Sequence, residues 1–490
     1  MNLTTAQLDR ACGAVLGSAV GDALGAPYEF GSAAMGSAGP QMVGGGLGNF
    51  APGEWTDDTS MAWCVLEVAA RRHDLTGDDA LTDVARNFRR WFDSGPADMG
   101  IQTRRVLGRA GDSPTAESMT AVATDLHAAE GRTAGNGSLM RTGPVALPHL
   151  DDPQAVADAA RAVAALTHFD PHAQEACVLW SLAVRHAVLT GELDVRVGLD
   201  ALDPEARAFW TERIDEAEAQ EPGTFTSNGW VVTALQAAWS AIVHTPAPAG
   251  PDACRHLGDA LTTAIRIGHD TDTVAAIAGA LLGARYGASA IPATWRRILH
   301  GYPGRTGEEL VELATLAARG GPDGQGWPGV ERLDYANYSG RDRLVRHPHD
   351  DGVWLGGVDA LDDLPEGVTA VVSLCRLGSK QVPKSVEHVS FRLIDSVDRA
   401  DNPNLEFVLA DAAATVAALR DEGHEVLLHC VAAQSRTPAV AIAYARLRGV
   451  PDEEARAGVQ RVLPGAAPNA AFHAALVPVF RHAVGDGFAG

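Results

Sequence analysis

From Thr5 to about Arg319 apolar residues return every three or four positions, in blocks closed by Gly, Pro or Asp. That is the spacing of helices that bury one face. The clearest blocks fall at 60–72, 81–92, 155–166, 173–189, 229–243 and 273–286, and almost no strand-like alternation interrupts them. They are rich in Ala and Gly, small residues that let helix axes approach closely, so the pattern predicts a compact all-α bundle. The periodicity stops over 320–350, a stretch of Gly, Pro, Asp and Arg that reads as a linker. Beyond it, β-branched runs at 352–355, 370–374, 386–393 and 425–429 alternate with helical runs at 405–420 and 437–447. Such alternation predicts an α/β domain with a mostly parallel sheet. The chain therefore divides into a helical domain 1–319, a linker 320–350 and an α/β domain 351–490, as its 490 residues exceed what one core organises.

Composition narrows the partners. Apolar content of 46% with 21% charged residues is globular usage, and 39 Lys and Arg against 62 Asp and Glu leave a net charge of -23. That balance repels phosphate backbones and anionic bilayers, so neither nucleic acid nor membrane is expected as a partner. An anionic substrate must then be met locally, by a cation, a helix N-terminus or a well-placed arginine. The six cysteines are scattered without zinc spacing, no basic leader precedes the first apolar stretch, and no apolar run is long enough to cross a bilayer. A cytoplasmic location is the expectation.

Two acidic clusters precede helical blocks: Thr56-Asp57-Asp58-Thr59 and Asp270-Thr271-Asp272-Thr273. Either alone reads as a helix cap, since Asp and Thr are preferred there. Capping needs one oxygen, however, and each cluster supplies three or more. That surplus suits a hard cation such as magnesium or manganese.

These clusters belong to an ordered series. It runs from Gly13-Ala14-Val15-Leu16-Gly17 through Gly21-Asp22-Ala23-Leu24-Gly25-Ala26-Pro27-Tyr28-Glu29 and Trp55-Thr56-Asp57-Asp58-Thr59 to Pro96-Ala97-Asp98-Met99-Gly100. Gly135-Asn136-Gly137-Ser138-Leu139-Met140-Arg141, Thr167-His168 and Gly268-His269-Asp270-Thr271-Asp272-Thr273 complete it. The series resembles the ADP-ribosylglycohydrolase family, typified by the dinitrogenase reductase-activating glycohydrolases. The resemblance implies an all-α fold and two magnesium ions, with manganese as a substitute, held by Thr56, Asp57, Asp58, Asp270, Asp272 and Thr273. It implies Glu29 as the catalytic glutamate and Asp98 as a residue that orients water. It further implies substrate contacts from Gly100, Gly135, Asn136, Gly137, Ser138, His168 and Gly268. Cleavage at the ribose anomeric carbon develops oxocarbenium character there, for which carboxylates and metal ions are suited.

In the second region, Val426-Leu427-Leu428-His429-Cys430 runs into Val431-Ala432-Ala433-Gln434-Ser435-Arg436-Thr437, a strand joined to a helix by a loop with cysteine first and arginine six residues later. Backbone amides, a helix N-terminus and a guanidinium surround one small anion in such a loop, and the same surroundings favour a thiolate. With Val353-Trp354-Leu355-Gly356-Gly357, the segment from about Asp351 to Ala483 resembles the dual-specificity branch of the cysteine-dependent phosphatases. The resemblance implies Cys430 as nucleophile, Arg436 as oxygen clamp, Thr437 as thiolate support and Ser435 as a phosphate contact. The general acid would be Asp395, with Asp398 second. The family's middle glycine is Ala433 here, which costs on the order of 1 kcal/mol if the position needs positive φ.

The expected function is a bifunctional hydrolase. One domain removes ADP-ribose from a protein or small molecule; the other cleaves a phosphate monoester, with the two acting on related targets. The alternative keeps the first activity and makes the second domain a non-catalytic phosphate reader. A different N-ribosyl leaving group is the third reading.

Overall fold

The computed structural model describes residues 2–476, so 477–490 of the expected α/β domain lie outside the described residues. The chain forms two compact units, one built from 1–248, 255–291 and 298–321, the other from 249–254, 292–297 and 322 onward. No helix among the described residues is long and apolar enough to cross a membrane.

The first unit is helical: α1 (Thr5–Gly25), α2 (Asp57–Arg72), α3 (Asp78–Asp93), α4 (Ile101–Arg109), α5 (Ala116–Glu130), α6 (Pro153–Ala165), α7 (Pro171–Thr190), α8 (Pro204–Ala219), α9 (Val231–His244), α10 (His256–Arg266), α11 (Thr271–Tyr286) and α13 (Gly307–Arg319). The short α12 (Ala293–Arg296) counts with the second unit. Three helices open with Asp followed by Pro, at Asp152, Asp170 and Asp203, whose carboxylates accept from first-turn amides. Gly131, Gly191 and Gly320 close helices in the left-handed conformation. Several helices begin two or three residues ahead of the apolar periodicity. The reason is chemical: polar first turns such as Asp57-Asp58 and Thr271-Asp272 are helical yet invisible to a hydrophobic pattern. A two-residue ladder, β1 (His300–Gly301) with β2 (Arg305–Thr306), is a departure from helix that the sequence did not signal in this unit.

The pairing of α1 with α11 organises the unit. Gly13, Gly17, Gly21 and Gly25 recur every fourth residue and face α11 backbone. A Cβ added at Gly13, Gly17 or Gly21 would lie 2.1–2.3 Å from the carbonyl oxygens of Gly283, Gly279 and Ala275, and one at Gly25 would lie 2.4 Å from the Cα of Asp272. Only glycine permits backbones this close. The contact sets the end of α1, with Asp22 and Glu29, against the first turn of α11, with Asp270 and Asp272.

The second unit is α/β. Strands β3 (Leu344–His347), β4 (Asp350–Gly356), β5 (Val368–Ser373), β6 (Glu387–Ser390) and β7 (Glu425–His429) form one sheet in the order β3-β4-β7-β5-β6. β3 is antiparallel to β4 and every other pairing is parallel. Helices α14 (Leu405–Asp421), α15 (Arg436–Leu447), α16 (Asp452–Val462) and α17 (Ala470–Ala475) complete the described chain. Val371 and Leu427 pack into one apolar cluster while Val372 and Leu428 pack into another, because both faces of the central strands are covered. The stretch 320–350, expected as a linker, departs from that reading: 322–350 belongs to this unit and carries β3. A four-residue edge strand whose pairing is supplied by its hairpin partner leaves too little periodicity to read.

Candidate functional site

In the first unit the two acidic clusters meet. The carboxylates of Asp22, Asp58 and Asp272 approach within 4.8 Å of one another, as do those of Glu29, Asp270 and Asp272, so Asp272 belongs to both groups. Thr56 caps α2 through its side chain, but Asp270, at the N-cap of α11, makes no capping bond with its carboxylate. That carboxylate instead accepts from Asn136 Nδ2 at 2.7 Å. Thr56 Oγ1 and Thr273 Oγ1 both lie against Asp58 Oδ2, at 3.2 and 3.4 Å, whereas Asp58 Oδ1 is buried without a hydrogen-bond partner.

Packing carboxylates this densely penalises their charged forms. Burial, then the neighbouring carboxylates, raise Glu29 to about 8 and Asp57 to about 7. Asp58 and Asp272 are pushed well above the usual carboxylate range, first by burial and then by neighbouring acids. The donor set is hard oxygen throughout, and one buried oxygen lacks a partner. These residues fit divalent cations, which would restore the charged forms. The cradle is deepest at Asp22, Asp58 and Asp272 and opens toward the partly exposed Asp57, Asp98, Asn136 and Asp270.

The other expected residues converge on that opening. Gly100 N donates to Asp57 Oδ2 at 3.3 Å, and Asp98 lies close enough to raise Asp57 electrostatically. Gly135 and Gly137 pass over His168, where an added Cβ would come within 3.4 and 3.2 Å of the ring. Ser138 is buried at the end of the same turn, and Gly268 takes φ +83° just before the α11 cluster. His168 is held by burial at about 3, hence neutral, and its Nδ1 pairs with Thr167 Oγ1 at 2.8 Å.

Four residues without an expected role also shape the site. Asp22 accepts from Thr56 N, Thr59 N and Thr59 Oγ1, tying the first turn of α2 to α1. The fully buried Arg141 donates to Thr167 Oγ1 at 2.8 Å and so fixes His168. Asn228 receives Asp270 N and donates to the carbonyl of Gly268. Trp230 pairs with Gly135 in a β-bridge and is 44% exposed beside the turn. Asp22 and Arg141 sit inside legible motifs; Asn228 and Trp230 carried no local signal.

In the second unit Cys430 follows β7 at the C-terminal edge of the sheet and is buried. Arg436 Nη1 donates to the carbonyls of Leu374 and Leu393, at 3.2 and 2.9 Å, while its Nε and Thr437 Oγ1 are buried without hydrogen-bond partners. Asp395 Oδ2 lies 3.9 Å from Arg436 Nε, and Asp395 Oδ1 accepts from Asn469 Nδ2 at 2.9 Å. Asp398 instead caps a short turn through Ala400 N. Ser435 Oγ accepts from Asn469 N at 3.1 Å. Ala433 has φ +49°, the left-handed conformation that glycine takes without cost.

The family model for ADP-ribosylglycohydrolase matches residues 3–325. The ADP-ribosyl-[dinitrogen reductase] glycohydrolase of Rhodospirillum rubrum is 32% identical over 293 residues, 59% of this chain and 89% of that protein. The ADP-ribosylarginine hydrolase Tri1 of Pseudomonas putida (strain GB-1) is 32% identical over 300 residues, 59% of this chain and 73% of that one. The solved structure of human DUSP28 is 24% identical, with 28% of this chain and 91% of that one covered and a TM-score of 0.25. With a family model that spans the whole helical region and a curated relative matched along most of its length, the chain belongs to the ADP-ribosylglycohydrolase family.

Proposed function

We propose that residues 1–319 form a magnesium-dependent ADP-ribosylhydrolase and that 351–490 form a cysteine-dependent phosphatase, acting in the cytoplasm. One observation carries the first part: two groups of carboxylates, one fully buried and one reaching the partly exposed Asp270, share Asp272, and an oxygen of Asp58 is left without a partner. Thr56, Asp57, Asp58, Asp270, Asp272 and Thr273 would hold two magnesium ions, with manganese as a substitute. When bound, the ions would supply the positive charge that orients ribose hydroxyls and activates water.

The protein's own groups do the rest. The Gly135–Ser138 turn and His168 bind the diphosphate, and Gly100 and Gly268 bring backbone close to the ribose. The exposed face of Trp230 stacks the base. Asn136, through its bond to Asp270, holds the rim of the cradle in register. Glu29, buried and raised, handles the proton at the scissile bond, and Asp98 positions water at the open side. The substrate is an ADP-ribosylated protein or small molecule.

The test is a panel of ADP-ribosylated arginine, serine and small-molecule substrates, assayed with magnesium, with chelator, and with Asp272→Ala. ADP-ribose release should vanish under both perturbations; release indifferent to both ends the metal reading.

In the second unit Cys430 attacks phosphorus, Arg436 clamps the equatorial oxygens, Ser435 and Thr437 support the loop and the thiolate, and Asp395 protonates the leaving oxygen. The proximity of Asp395 to Arg436 supports that choice, as does the use of Asp398 as a cap. The strained Ala433 favours a second reading, a phosphate-binding domain without turnover. Hydrolysis of an aryl phosphate that disappears in Cys430→Ser separates the two.

A further inference from the structure

Beside the cradle the first unit carries a cavity of about 610 Å³, between the segment that follows α1 and the one that joins α10 to α11. Its walls include Tyr28, Phe30, Met35, Arg266, His269 and Thr271. Two of these are the immediate chain neighbours of cradle residues: Phe30 follows Glu29 and His269 precedes Asp270. Phe30 N donates to His269 O at 2.7 Å, and both residues hold left-handed φ, +47° and +62°. This doubly strained link divides the carboxylates of Glu29 and Asp270, which face each other in the cradle, from the side chains of Phe30 and His269, which line the cavity. The cavity wall thus begins one residue along the chain from Glu29 on one side and from Asp270 on the other.

The charge of this cavity runs against that of the chain. The protein carries -23, yet no Asp or Glu lines the cavity, and its charged or chargeable members besides Tyr28 are Arg266 and His269. Both are exposed, and Arg266, in the last turn of α10, has no ion-pair partner among the described residues. An exposed, unpaired guanidinium beside an aromatic wall suits a carboxylate on a polypeptide better than an apolar or basic one. Resting on the ADP-ribosylhydrolase reading, we propose that this cavity receives the acceptor side of the substrate. It selects ADP-ribosylated proteins that carry an acidic residue next to the modified side chain, with Arg266 as the specificity-determining contact.

The experiment compares ADP-ribosylated peptides identical except for Glu or Lys beside the modified residue, hydrolysed by the full chain and by Arg266→Glu. Free ADP-ribosylated amino acid, which lacks flanking residues, and product inhibition by ADP-ribose are measured in parallel. The wild-type chain should favour the Glu peptide in kcat/KM by about five-fold, an exposed charge pair's worth, and less at high salt. Arg266→Glu should abolish or reverse that preference through KM. A Glu-to-Lys ratio that is near one in the wild type, or unchanged in the variant, overturns the inference. So does a loss that extends equally to the free amino acid substrate or to ADP-ribose inhibition, because the cavity would then bind the nucleotide itself. Failure of the wild-type chain to hydrolyse any ADP-ribosylated substrate is a different result; it removes the enzymatic reading and this inference with it.

Discussion

Replacing Gly17 by alanine sets two effects of known sign against each other. In a helix interior the exchange is intrinsically favourable by up to about 1 kcal/mol, because alanine loses less backbone entropy on folding. At Gly17 the added Cβ would lie 2.3 Å from the carbonyl oxygen of Gly279 and 3.2 Å from the Cα of Gly283. Ordinary van der Waals contact begins more than 1 Å further out, and the obstacle is backbone, which has no rotamer to escape into. Overpacking of this kind costs about 1–3 kcal/mol and more when the backbone itself must move. The steric term therefore wins, and α1 separates from α11. Gly108, exposed in α4, is the matched control: its added Cβ meets nothing nearer than Phe92 Cζ at 3.9 Å, so only the favourable term remains. Thermal unfolding of the full chain, followed by hydrogen exchange of α1 and α11 amides, should show Gly17→Ala lowered by several degrees, at about 2–4 °C per kcal/mol. Gly108→Ala should be unchanged or raised. Because the same contact sets Asp22 against Asp272, magnesium affinity should fall in the first variant alone. A Gly17→Ala protein as stable as Gly108→Ala would refute the packing argument.

Asp22→Asn leaves one acceptor oxygen but introduces a donor facing Thr59 N and Oγ1, so the first turn of α2 loses its anchor. Magnesium affinity by calorimetry should weaken about 10- to 100-fold, as for supporting residues behind metal ligands, and an unchanged titration would assign Asp22 no such role. Ala433→Gly removes a left-handed penalty of about 1–2 kcal/mol at the loss of a buried methyl worth about 0.8 kcal/mol. A small gain in urea midpoint with faster aryl phosphate turnover should follow, and a slower enzyme would contradict the strain argument. His429 is held by burial at about 3, below its ordinary 6.5, and shares Ser373 Oγ with His388 at 2.7 and 2.9 Å. Its folded value lies below its unfolded one, so the unfolded chain binds the proton first. His429's own contribution to stability should be full above pH 6.5 and fall by about 1.4 kcal/mol per pH unit between 6.5 and 3. Hydrogen exchange of β7 amides against pH should show a slope in the wild type that differs from that of His429→Gln by about this amount; equal slopes would mean that other groups set it.

By itself the sequence determined what is local. Helical blocks and the Gly, Pro and Asp that separate them, the parallel-sheet alternation and the Cys430 loop were all legible, because propensity, capping and periodicity act within a few residues. The ligand-rich turns were legible too, as an excess of oxygen over what capping uses. The tertiary structure decided everything that depends on approach between distant segments. It made Asp272 common to two carboxylate groups and turned Asp22 into the acceptor for α2 amides. It brought Asp395 rather than Asp398 to Arg436, drew β3 out of an apparent linker, and opened a cavity lined by Arg266 and no carboxylate next to an acidic cradle. The physical reason is one of range. A four-residue glycine spacing can be read along the chain, but which carbonyl it lies against, and so which carboxylates share one cradle, is set only when α1 and α11 close on each other.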